Sequence, residues 1–427
     1  MGSLLALLLV GSLTIDAQAQ NKQLQNFRPY NQDGVNEFEA LEMDTTEFDG
    51  VKVYMGGAFA QQFQSLDHST EANLSPNLMP ADIGPGFNLA TANLYMDAQL
   101  ADGIRISLTT YLSSRHHAEA WVKGGYLQVD EFPMLKSNAV DGLMDYLTLK
   151  IGHMEINYGD THFRRTDNAR SIYNPFVGNL ILDSFNTEVG GEIYFTNNGI
   201  MAMLGITNGE LNPGVTNPDT KAPSIIGKLA YDKEFGNKKR FRLSGSYYHT
   251  AKSAANHLYS GDRAGARYYS VLDGSYSSFN PTNPDPNFRA PRITPGLSNK
   301  LDAFMINPFL KYDGLELFGV VETATGNAGV NAPDRTWNQY AVDLIYRFLK
   351  DDQVYIGGRY NYVAGELASS GTEVNVDRIQ IGAGWYMTKN ILMKVEYMKQ
   401  TYNDYPSADL YHGAEVDGFM VEGAIAF

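Results

Sequence analysis

The sequence predicts an all-β chain: a transmembrane antiparallel β-barrel of about 16 strands, preceded by a cleaved signal peptide and a short acidic arm. Three observations carry that prediction. From residue 51 onward, runs of about 9–14 residues alternate apolar with small or polar side chains, without helical periodicity. The connections between runs alternate between tight turns and long polar loops. Aromatic residues collect on the apolar face beside the tight turns.

The chain opens on an apolar run, LLALLLVGSL (4–13), followed by the small-x-small triplet Ala17-Gln18-Ala19. This combination predicts a secretory signal peptide over 1–19, cut before Gln20, although no lysine or arginine precedes the run. No cysteine stands at the cleavage point, which argues against a lipoprotein anchor. Residues 20–50 form the acidic arm, with Lys22 and Arg28 set against Asp33, Glu37, Glu39, Glu42, Asp44, Glu47 and Asp49. Its composition leaves open whether it blocks the lumen or lies in the periplasm.

The barrel occupies 51–427. Strands are predicted at 51–63, 89–100, 104–112, 119–129, 146–158, 187–195, 200–208, 224–231, 240–250, 302–312, 315–323, 337–348, 353–363, 375–386, 391–402 and 414–427. Tight turns are ADG (101–103), NNG (197–199), DG (313–314), LKDD (349–352) and MTKN (387–390), which offer the positive-φ or helical-turn residues short hairpins need. The longest polar loop runs over 251–301. Two connections break the alternation: 130–145 is long for a tight end, and 113–118 is short for a loop end. The strand over 353–363 shows the two faces well, with Val354, Ile356, Gly358, Tyr360 and Tyr362 against Gln353, Tyr355, Gly357, Arg359 and Asn361. A soluble sandwich would alternate in the same way. Aromatics beside the short turns separate the cases, because Phe195, Tyr231, Phe241, Tyr312, Phe348 and Trp385 would form an interfacial girdle. Phe427 would stand in that girdle with Ile425, Val421 and Phe419 behind it, on a strand that pairs with the first to remove both edges.

Composition narrows the function. A net charge of −15 argues against a nucleic-acid partner. The absence of cysteine excludes disulfides and thiolate zinc sites, and no pattern calls for a metal or another cofactor. No apolar run reaches the 18 or more residues of a spanning helix. The slightly negative mean hydropathy does not weigh against a barrel, because averaging hides one-faced strands.

Through its signal peptide, strand count and terminal Phe427, the chain resembles Gram-negative outer-membrane porins. The stretch LTLKIGHMEINYGDTHFRRTDNARSIYNPFVGN (147–179) resembles the porins of Bacteroidota related to the phosphate-selective porin O and P group. The resemblance implies a water-filled channel in the bacterial outer membrane, passive diffusion of small hydrophilic solutes or ions, and a homotrimer in lipid. It also implies that the third outer loop bends inward. That loop, 159–186, carries His162, Arg164, Arg165, Asp167 and Arg170, and these are the constriction candidates.

A barrel this wide is expected to leave an aqueous lumen whose charges act as the filter. The register points Lys52, Arg105, Lys150, Lys228, Arg242, Lys311, Arg347, Arg359, Arg378 and Lys394 inward. The inward acids are Asp97, Glu188, Glu192, Glu316, Glu322, Asp343, Glu396 and Glu422. Arg347, Arg359, Arg378 and Lys394 come from four consecutive strands. They either make a basic stripe or pair with acids such as Asp343 and Glu396. Because acids interleave with the bases, a general porin fits better than a phosphate-specific one. On this reading, alanine at Arg164 and Arg165 should lower anion preference. Enzymatic readings find little support, since the adjacent His116 and His117 point to opposite faces of a strand rim. The arm is too short for the plug of a 22-stranded transporter. A non-conducting barrel serving as a binding or scaffold component of a surface assembly is the alternative.

Overall fold

A computed structural model of the protein describes residues 24–41, 46–75, 78–113, 119–210, 218–236, 238–261, 267–273 and 291–427. The predicted signal peptide, the 114–118 connection and the stretches 262–266 and 274–290 of the long 251–301 loop lie outside the described residues. The strands run in chain order as β1 (Lys52–Ser69), β2 (Thr91–Ala101), β3 (Ile104–Ser113), β4 (Glu119–Val129), β5 (Leu147–Glu155), β6 (Thr187–Asn197), β7 (Ile200–Thr207) and β8 (Ser224–Glu234). They continue as β9 (Lys239–Thr250), β10 (Lys300–Tyr312), β11 (Leu315–Asn327), β12 (Arg335–Phe348), β13 (Val354–Glu366), β14 (Glu373–Thr388), β15 (Ile391–Asn403) and β16 (Glu415–Ala426).

Each strand pairs antiparallel with its chain neighbours, and β1 closes the ring. Its first half pairs with β2, from Lys52↔Gln99 to Ala60↔Thr91. Its second half pairs with β16, from Ala58↔Ala426 to Ser69↔Glu415. The two-residue strand Gly86–Phe87 adds a short pairing beside Phe63 and Gln64. Phe427 is tied down by reciprocal backbone bonds with Gly57, at 3.0 and 2.8 Å. The result is a closed sixteen-strand antiparallel barrel, the form in which a sheet can cross lipid without unpaired edges.

Turn chemistry follows the sequence. Asn198 and Gly199 (φ 51° and 84°) close β6 onto β7, and Asp313 (φ 51°) precedes Gly314 between β10 and β11. The long 130–146 connection holds a short helix, α1 (Asn138–Met144). Several strands run past their predicted loop ends: β1 reaches Ser69 instead of 63, and β11 reaches Asn327 instead of 323. Hydrophobic alternation stops there because neither face needs to meet lipid, while backbone pairing continues.

The two faces are inverted relative to a soluble protein. On β12, Val342 and Leu344 are 42 % and 51 % exposed on the outer face, whereas Asp343, Ile345 and Arg347 are buried on the inner one. Phe195, Tyr312 and Trp385 stand exposed on the outer face near the short turns. There Tyr146 stacks on Phe195, and Tyr346 stacks on Phe348, each at 6.1 Å between ring centroids. The hydrophobic core lies inside the barrel, where Phe38, Ile156, Val177, Ile181, Leu182, Leu258 and Val271 are packed against wall residues such as Phe309 and Val320.

Candidate functional site

The expectation of an open lumen is corrected by what fills it. The 156–186 loop turns inward after β5 through Gly159 (φ 70°), makes the short 3-10 turn Thr161–Phe163, and doubles back at an Asp167↔Arg170 bridge. A buried loop exposes backbone groups that water cannot reach, and each must find a partner. The wall supplies them. Glu396 accepts from the amide of Val177 at 2.7 Å, Asn361 from that of Ile181 at 2.7 Å, and Gln339 from that of Leu182 at 3.1 Å. Arg359 donates to the Gly178 carbonyl at 3.1 Å and Arg378 to that of Asn179 at 2.6 Å. Lys394 donates to the carbonyls of Ser171, Asn174 and Phe176 at 2.9–3.2 Å.

These contacts decide between the two readings of the basic stripe. Arg347 pairs with Glu316 at 2.7 Å, Arg359 with Asp343 at 2.6 Å, and Lys394 with Glu422 at 2.7 Å. Arg378 donates to Gln400 at 2.7 Å. Arg359, Arg378 and Lys394 clamp the loop, Arg347 is tied to Glu316 within the wall, and the four do not form a free stripe. Acids on the wall are engaged in the same way. Glu188 accepts from Tyr248 at 2.8 Å, Glu192 from the Asn157 amide at 3.0 Å, and Glu322 from Tyr259 and Gln339 at 2.9 and 3.0 Å. Lys52 pairs with Asp49 at 2.5 Å, and Arg105 with Asp97 at 3.4 Å.

The five constriction candidates divide into two groups. Arg164 reaches Asn36 and Glu316 and lies over the Phe318 ring at 4.9 Å. Arg165 forms a bidentate pair with Asp183 at 2.9 and 2.6 Å. Both are buried against the β11–β13 side of the barrel. His162, Asp167 and Arg170 face the opposite side. There Glu155 gathers His162 at 2.5 Å and Arg170 at 3.0 Å, and Asp167 accepts from Tyr111. Sequence reasoning missed Asp160, which holds the loop entrance. It accepts from Arg242 at 2.8 and 2.9 Å and from Ser244 at 2.8 Å, and pairs with Lys228 at 2.8 Å. Burial alone would raise this carboxyl, but Arg242 and Lys228 outweigh it and hold it at about 2.

The acidic arm is the second filling. Gln25 bonds Asp102 at the β2–β3 turn, at 2.9 Å, and the Thr46 carbonyl at 2.8 Å. Arg28 donates to the Phe163 carbonyl at 2.9 Å and lies 3.9 Å over Tyr173. Tyr30 stacks on Tyr95 at 4.0 Å and donates to Asp97 at 2.6 Å. The Gln32 amide reaches the Lys389 carbonyl at 2.9 Å, and Asn36 donates to Glu316 at 2.7 Å. Phe38 packs edge-on against Phe163 and Phe309. Glu39 ends the descent between Lys228 and Arg242, both at 2.9 Å. Burial opposes its charge, yet these two cations hold it well below the usual carboxylate range. The available signal was charge: an acidic arm beside a slightly basic wall.

One strip of wall stays uncovered. Along β2–β6 a cavity of about 170 Å³ is bounded by Arg105, Lys123, Tyr126 and Lys150 on the wall, and by Arg28, Tyr30, His162 and Arg170 on the plug. Its acids are engaged by cations, as above. Lys150 instead lies 4.9 Å over Tyr194 and 5.7 Å over Tyr126, and Lys123 lies 4.9 Å over Tyr111. A ring is neutral, so the Lys150 ammonium keeps its charge in that position. A second cavity of about 310 Å³ opens at the short-turn end, between arm residues Gln32–Asn36 and Lys238, Lys311, Arg347 and Lys389.

No family model matches the sequence, and no curated protein is similar to it. The fold has counterparts. An anion-selective porin from Comamonas acidovorans superposes with a TM-score of 0.53 at 12 % identity, covering 88 % of this chain and 100 % of the other. The outer membrane channel DcaP of Acinetobacter baumannii gives 0.51 at 11 %, over 88 % and 98 %. OmpF of Salmonella typhi gives 0.50 at 12 %, over 89 % and 98 %. At these identities the likeness is one of fold alone: a closed antiparallel barrel of the kind these porins have.

Proposed function

We propose that the protein is a porin-type channel of the bacterial outer membrane, passing small hydrophilic solutes by diffusion along the β2–β6 wall. The observation that carries this reading is the uncovered strip. The loop clamps onto β8–β15, touches β2 and β3 through Asp167 and Asn168, and leaves a charged, water-sized space beside the wall between them. Because Lys150 and Arg28 sit over rings while the neighbouring acids are engaged by cations, the passage prefers anions weakly. Phosphate specificity is not part of the proposal, since no dense basic ladder lines the strip. A homotrimer fits the porin type, and one similar structure, OmpT of Vibrio cholerae, is described as a trimer form.

Planar-bilayer recording of the purified protein tests the reading. Steady ion conductance, with a reversal potential in a salt gradient that shows modest anion preference, is expected. Lys150→Glu together with Lys123→Glu should move that potential toward cation preference. A folded protein that is silent would favour the second reading, a non-conducting barrel in a surface assembly, which the packed lumen supports.

A further inference from the structure

The arm separates the two cavities. Asn26, Phe27, Arg28, Tyr30, Phe38 and Glu39 bound the passage along β2–β6, whereas Gln32, Asp33, Val35 and Asn36 bound the cavity at the short-turn end. One segment of chain therefore forms a wall of each. It does so as a loop clasped at its base, where Gln25 reaches Thr46, and it spans the mouth from the β2–β3 turn to Lys389 between β14 and β15. Among the described residues, no strand pairing joins the arm to the sheet. One backbone bond, from Gln32 to Lys389, joins side-chain bonds, ion pairs and a few rings in holding it, so it can leave without breaking the barrel. The acids that dock it, Asp33 on Lys389 at 2.8 Å and Glu39 on Lys228 and Arg242, meet cations of the wall and turns.

We propose that residues 24–41 are a tethered plug that closes the short-turn mouth of the barrel, and that its release joins the two cavities into a wider pore. This makes the protein a gated channel with a narrow and a wide state. The inference rests on the porin-type reading and adds the element that controls it.

The experiment compares the full chain with a variant lacking residues 24–41 in planar bilayers, each shown to be folded by its gel migration before and after boiling. Removal of the arm is expected to raise single-channel conductance at least twofold. A synthetic peptide of residues 24–41, added on the short-turn side, should return it to the full-chain level. The same peptide with Glu39→Gln should need at least tenfold more. As a variant that keeps the arm, Gln32→Cys with Lys389→Cys places a disulfide at the arm's backbone contact in a chain that has no cysteine of its own. Oxidised, it should show only the narrow level, and reduction should restore excursions to the wide one. Equal conductance with and without the arm, or no difference between oxidised and reduced forms, overturns the plug while leaving the porin reading intact. Silence of every folded form overturns both.

Discussion

Arg165 illustrates how a residue's type can be legible while its role is not. Three arginines within seven residues point to a packed inward loop, but sequence cannot say whether they face solute or each other's acids. The bidentate bond to Asp183 inside the plug makes Arg165 a structural clamp. Arg165→Ala is expected to cost about 3–5 kcal/mol by leaving a buried carboxylate without its main partner. The check is a lower temperature for loss of the folded band on gels. Reversal potential should stay unchanged, because Arg165 does not line the β2–β6 passage. Gly34 is another such residue. A Cβ there would run into the Pro29 carbonyl and crowd the Tyr173 hydroxyl. Gly34→Ala should therefore loosen the arm, seen as faster amide hydrogen exchange across 24–41 with the strands unaffected.

At the level of elements, the loop and the arm behave as ligands of their own barrel. The wall charges that look like a filter in sequence instead satisfy loop carbonyls and amides, since a buried loop cannot leave those groups unpaired. The arm depends on charge, and its docking therefore depends on pH. Glu39 faces Lys228 of β8 and Arg242 of β9, with Asp160 of the loop sharing both cations. Its carboxyl is depressed when docked, so its contribution is complete above the ordinary value of about 4.5 and is lost as pH falls through the docked value. Each pH unit below the ordinary value weakens docking by roughly 1.4 kcal/mol. Glu37 acts in the opposite sense, because burial raises it despite Arg240 and Arg28. Wide-state openings should be rare from pH 7 to 5 and increase steeply toward pH 3, as read from open probability in bilayers.

For the molecule as a whole, the inverted arrangement of faces sets the energetics. Leu344 lies in the lipid-facing band of β12, and Leu344→Arg should destabilise the folded barrel by about 2–4 kcal/mol. Asn338→Arg, on the outer face near the loop end of the same strand, should cost close to nothing. Urea unfolding from lipid vesicles separates the two outcomes. The sequence by itself determined the sheet: alternation of period two, Asn-Gly and Asp-Gly turns, and aromatics at one end are local signals, each written within about ten residues. Strand ends were less legible, as at Ser69 and Asn327, because pairing continues after the need to meet lipid has ceased. Only the tertiary structure decided what the lumen contains. Whether Arg359 meets water, Asp343 or the Gly178 carbonyl depends on a loop some 180 positions away in the chain. Whether Glu39 hangs free or docks depends on cations that strand pairing brings together from β8 and β9. Contacts between distant segments are set by the closed geometry of the barrel, and local patterns of residues do not encode it.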